Sequence, residues 1–200
     1  MKIESRYIQV SFILIFLLFF KGCISLSTYQ SPKILEKGSG QIGFGILAGV
    51  GIENQETGLG EISLIGRYGI SERMDVGAKL YGMPQLLEFH SFYGDLRHQI
   101  LTDPIYLSGS MGISTFSVDD FRSIGLYPTV MAGTERLYGG VKWIRLISTS
   151  DQTEESLGTH FPGFVAGANF GGRISVMPEV NIYFSEDILV FPGVGLTYRF

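Results

Sequence analysis

From Ser39 to Phe200 the chain alternates apolar and small or polar positions, the period-two pattern of strands with two unlike faces. In the closing stretch LVFPGVGLTYRF, Val190, Pro192, Val194, Leu196, Tyr198 and Phe200 share one parity, and Gly193, Gly195, Thr197 and Arg199 the other. The same reading, broken at turn signals, predicts ten strands, over 39–52, 60–70, 73–82, 89–100, 105–116, 122–134, 136–148, 161–170, 173–184 and 189–200, with eight as the alternative count. Short links at Ser71-Glu72, Leu101 to Pro104, around Glu135 and at Gly171-Gly172 alternate with longer ones at 53–59, 83–88, 117–121, 149–160 and 185–188. The stretch 149–160 reads as the longest of these loops, polar and without a helical stripe.

Nearly every strand carries one continuous apolar face. Ile62, Leu64, Tyr68 and Ile70 oppose Glu61, Ser63 and Arg67, and Met74, Val76, Ala78 and Leu80 oppose Asp75, Gly77 and Lys79. A soluble barrel turns its apolar side inward and coats its exterior densely with charge. Here the polar face holds glycine and serine with one or two charges per strand, which suits a narrow lumen. Glu61, Arg67, Asp75, Lys79, Asp95, Arg97, Lys142, Glu179 and Arg199 are the expected lumen charges. Their mixed signs matter, because an unpaired buried charge is expensive. Aromatics near strand ends (Tyr68, Tyr81, Phe92, Tyr127, Trp143, Phe184, Phe191, Tyr198, Phe200) suit girdles at the membrane interfaces, and Arg145, on the parity of Trp143, is an exception. Hydrocarbon cannot satisfy unpaired strand edges, so the expected fold is all-β, a single antiparallel up-and-down transmembrane barrel.

Composition agrees. Charged residues make up 17% of the chain and 27 of 200 residues are glycine, away from the balance of a soluble domain. Lys2 and Arg6 precede the apolar run Tyr7 to Phe20, the pattern of an export signal, so 1–22 is set apart from the fold. The only cysteine, Cys23, follows Gly22. This junction resembles a bacterial lipoprotein signal, which implies lipidation at Cys23; Phe20 and Lys21 depart from the usual residues. Residues 23–38 lack sustained alternation, contain Pro32 and read as a tether, leaving 39–200 as the barrel. Without 1–22 the chain has 12 basic and 18 acidic side chains, which disfavours nucleic acid as a partner.

The hairpin RYGISERMDVGAKL (Arg67 to Leu80) resembles those of bacterial outer-membrane β-barrel proteins, and GVGLTYRF is similar to the C-terminal signal read by their assembly machinery. The resemblance covers 39–200. It implies outer-membrane localisation, with membrane lipid and the assembly machinery as partners, and an assembly role for Phe200, Tyr198 and Leu196.

Candidate chemistry is thin. His90 and Ser91 are adjacent, so in a strand they point to opposite faces and cannot form a catalytic pair. His98 and His160 remain the other candidates, and no stretch reproduces the motif of lipid A deacylase barrels. The acidic residues of the longer links, Glu53, Glu56, Glu88, Asp119, Asp120, Asp151, Glu154, Glu155, Glu186 and Asp187, lack the ordered spacing of a calcium loop, and the glycines form no nucleotide loop. No cofactor or metal is expected. Three functions follow: a non-enzymatic outer-membrane barrel with a structural, adhesive or narrow-passage role; an outer-membrane lipid hydrolase; and a soluble lipidated barrel holding an apolar ligand.

Overall fold

The computed structural model describes residues 25–51, 57–82, 91–118, 121–150, 153–185 and 188–200. Residues 1–22, read as an export signal, Cys23 and His90 lie outside them. The strands are β1 (Gly40–Gly51), β2 (Thr57–Ser71), β3 (Met74–Gly82), β4 (Ser91–Leu101), β5 (Tyr106–Val118), β6 (Phe121–Gly133), β7 (Leu137–Ser150), β8 (Thr153–Ala168), β9 (Phe170–Gly171), β10 (Ile174–Phe184) and β11 (Ile188–Arg199). β9 is two residues long and continues the line of β8 beyond Asn169, so the wall has ten strands.

Successive strands of the wall pair antiparallel, β10 taking both β8 and β9, and β11 closes on β1 from Gln41↔Arg199 to Gly51↔Leu189. The result is a closed ten-stranded barrel, which removes the eight-strand alternative. The closing ladder extends through the last residue, where Phe200 and Gly40 exchange both backbone hydrogen bonds (2.8 and 2.9 Å). The turns after β2, β4, β6 and β9 share one end of the barrel with Gly40 and Phe200, here called the turn end. The other connections lie at the loop end.

The distribution of side chains is inverted relative to a soluble domain. Ile42, Leu64, Met111, Phe164 and Leu196 stand on the outer face, each more than two-fifths exposed. Glu61, Arg67, Asp75, Lys79, Asp95, Arg97, Lys142 and Glu179 are buried inside. The apolar-inward barrel with an apolar ligand is therefore contradicted: the apolar faces point out.

Three other expectations need correction. The stretch 149–160 is not a long loop, because β7 runs to Ser150 and β8 starts at Thr153, with Ser148 opposite Leu157. Backbone pairing continues there past the apolar belt, so hydropathy alternation no longer marks the strand. Tyr81 and Tyr127, expected in an interfacial girdle, are fully buried in the lumen, where Phe191 packs against the same cluster. Tyrosine suits either place, since its ring fills space and its hydroxyl finds a partner. Finally, Arg199 sits at the mouth of the turn end with its side chain exposed, outside the buried charge cluster.

Candidate functional site

The lumen is occupied. Residues 25–38, the stretch expected to be a tether, run through it, with Ser25, Ser27, Thr28, Tyr29, Pro32, Ile34 and Leu35 buried. At the turn end the segment is pinned to the wall by Gly38 N–H to Gly69 O (2.9 Å) and Gly69 N–H to Ser39 O (3.0 Å). From there it leads inward, away from the turn end.

The lumen charges fall into two groups. Near the turn end Arg67 bridges Asp75 and Asp95, the latter at 2.6 Å, and Arg97 holds Asp75 at 2.6 Å. Higher up Lys79 pairs with Glu61 at 3.0 Å. Among the described residues the eight buried charges are four acidic and four basic, a balance of signs. That balance is what makes so many charges tolerable away from bulk water.

These groups also grip the backbone of the inner segment. Acceptors take its N–H groups: Leu26 donates to Glu61 (2.8 Å), Thr28 and Tyr29 to the two oxygens of Glu179 (2.7 Å each), Ile34 to Gln99 (3.0 Å) and Leu35 to Asp75 (3.0 Å). Donors reach its carbonyls: Lys142 to Ser25 (3.0 Å), Tyr183 to Leu26 (2.6 Å), Lys79 to Ser27 (3.0 Å), and Arg97 to Ser31 and Lys33. An extended segment has no partners of its own for these groups, and a buried one must find them. The lumen supplies them through Gln99, Tyr183 and a larger number of acidic and basic side chains, and hydrogen bonds to charged groups are the stronger kind.

Glycine makes the room. Tyr29 lies against Gly45, Gly193 and Gly195, and a Cβ would overlap its ring at Gly45 and its hydroxyl at Gly193. Its hydroxyl donates to Ile46 O at 2.6 Å. Above it Leu26 packs into Tyr81, Tyr93, Tyr127, Tyr183, Ile144 and Leu146. At the turn-end rim Lys33 meets Glu135 at 2.5 Å. Their hydrogen bond raises the Lys33 pKa and lowers that of Glu135.

His98 and His160 project from the outer face, on β4 and β8, and the His160 ring lies 6.1 Å from that of Trp143. Among the described residues neither has a hydrogen bond to a serine or a carboxylate. Asn181, on the polar parity that the sequence predicts for its strand, lies in the polar interior with Gln99, Tyr138 and Tyr183, whose part in it the sequence reading missed. Their inward parity was the available signal.

The geometry defines a closed barrel with an apolar exterior and a polar lumen filled by its own chain. Neither a protein-family model nor a curated protein matches the sequence. Solved structures with a similar fold include Ail, the attachment invasion locus protein of Yersinia pestis, at 12% identity, covering 82% of this chain and 99% of that one, TM-score 0.31. The translocator domain of the autotransporter NalP from Neisseria meningitidis is 13% identical over 83% of this chain and 90% of its own, TM-score 0.43. The N-terminal β-barrel domain of Pseudomonas aeruginosa OprF is 10% identical over 83% and 100%, TM-score 0.32. Likeness at this level adds nothing to what strand register already shows.

Proposed function

We propose that this is a non-enzymatic bacterial outer-membrane barrel with a structural or adhesive role, its lumen stoppered by its own N-terminal segment. The observation that carries the reading is a charged, filled interior inside an apolar wall. An 11-residue strand such as β10, tilted as barrel strands are, spans about 28 Å. That matches an apolar band of roughly 25 Å. Under this reading residues 1–22 direct export, Cys23 bears lipid, and Phe200, Tyr198 and Leu196 are read by the assembly machinery. The narrow-passage role loses ground, because the segment stands where solutes would pass.

Three measurements test the proposal. Outer-membrane fractions should contain a species whose gel mobility changes on boiling, and purified protein in planar bilayers should give no discrete conductance. A protein that stays in the aqueous phase without detergent after loss of its first 22 residues, or one that conducts steadily, would sink it.

A further inference from the structure

The inner segment has a direction, and its contacts report it in order. Ser39 and Gly38 sit at the turn end beside Gly69, and Lys33 meets Glu135 at the rim. Tyr29 lies midway along β1, under Ile46. Ser27 reaches Glu61 and Lys79, in the loop-side halves of β2 and β3. Leu26 receives the hydroxyl of Tyr183, the last residue but one of β10. Eight residue steps separate Lys33 from Ser25, and a chain covers at most about 26 Å in that number. The segment thus climbs from the rim to the middle of β6 and β7, where Ser25 meets Tyr127 and Lys142, and to the loop-side part of β10 at Tyr183.

A wider space of about 500 Å³ beside Ser31 and Lys33 opens at the turn-end mouth. Deeper in the lumen, the voids flanking the described segment, one between Tyr29 and Arg97 and one between Thr28 and Asp95, hold about 10 Å³ each. That is room for roughly one water and not for a second backbone. We infer that the barrel threads its own N-terminal segment from the turn end to the loop end, so that the residues preceding Ser25 emerge at the loop-side mouth. Resting on the outer-membrane reading for which side that is, the N-terminus is then presented at the cell surface.

The threading itself is tested without a membrane. In the full chain folded into detergent, Cys23 is the only native thiol, and a second cysteine is introduced at Ser185 (loop end) or at Glu72 (turn end). A short bis-maleimide should join Cys23 to Ser185→Cys at least tenfold more efficiently than to Glu72→Cys. The reverse preference, or equal yields, overturns threading whatever the membrane orientation.

The side is tested on intact cells with three separately tagged variants, carrying an epitope before Ser25, at 151–152, or at 72–73. Antibody should reach the first two, and the third only after permeabilisation. An N-terminal epitope that behaves like the one at 72–73 overturns surface presentation. A 151–152 epitope that stays hidden on intact cells overturns the outer-membrane orientation alone, leaving the cross-linking result to stand.

Discussion

Among the described residues Glu179 has no cation in hydrogen-bond contact, yet it is buried. Its carboxylate accepts from the Thr28 and Tyr29 amides at 2.7 Å, from Asn181 Nδ2 at 2.9 Å and from Tyr138 Oη at 3.2 Å. In Glu179→Gln one oxygen becomes an NH₂ group that faces a donor. Hydrogen bonds to charged groups contribute about 1.5–3 kcal/mol, so exchange of the Thr28 and Tyr29 amides should accelerate by about 10- to 100-fold. Unchanged protection by mass-spectrometric hydrogen exchange would mean that Glu179 does not hold the segment. The rim contact between Lys33 and Glu135 is weaker, being exposed and screened by solvent. The Glu135 pKa is lowered, so its contribution is present above the ordinary carboxylate range and is lost as pH falls through the folded value. The Lys33 pKa is raised, so its contribution is full below the ordinary lysine range and is lost only as pH rises past the folded value. The contact therefore holds around neutrality. After correction for intrinsic rates, acidifying to about pH 3 should speed exchange across 31–37 by less than about fivefold, as expected of an exposed pair worth under 1 kcal/mol. Glu135→Gln should remove that acid-induced part; an equal acceleration in the variant would assign it elsewhere.

At the level of elements, closure depends on β11 meeting β1. The apolar side of β11 faces outward through Val194, Leu196, Tyr198 and Phe200, while Thr197 is buried within. Phe200 stacks on Tyr198 with ring centroids 6.2 Å apart and completes the ladder through Gly40. Deleting Phe200 removes the last backbone pair of the seam at its turn-end margin, where unpaired groups are costly in lipid. The heat-modifiable fraction in membranes should fall severalfold, with little change in the stability of the barrels that do assemble. Normal insertion of the truncated chain would separate Phe200 from assembly. The strands that outran their predicted limits, β7 and β8, show where hydropathy loses its grip. Beyond the apolar belt no face needs to be apolar, and pairing rests on backbone hydrogen bonds that Thr153 to His160 advertise poorly.

At the level of the whole molecule, stopper and wall are one chain. Deleting residues 25–36 should leave an assembled barrel whose lumen fills with water around Glu179, Lys142 and Glu61, and planar-bilayer recordings should then show discrete conductance absent from the intact protein. A silent, heat-modifiable deletion variant would show that the side chains alone close the lumen. Alternation along 39–200 determined the outward apolar faces and the parity of the charges, because a closed sheet has only two faces and a lipid-facing one must be apolar; strand register decided ten strands over eight. The same parity could not separate an interfacial tyrosine from an inward one such as Tyr81 or Tyr127. The tertiary structure alone also decided the occupant of the lumen. Residues 25–38 are held largely through their N–H and C=O groups, which every residue but proline carries in full, so no pattern of side chains in CISLSTYQSPKILEKG announced that the segment belongs inside.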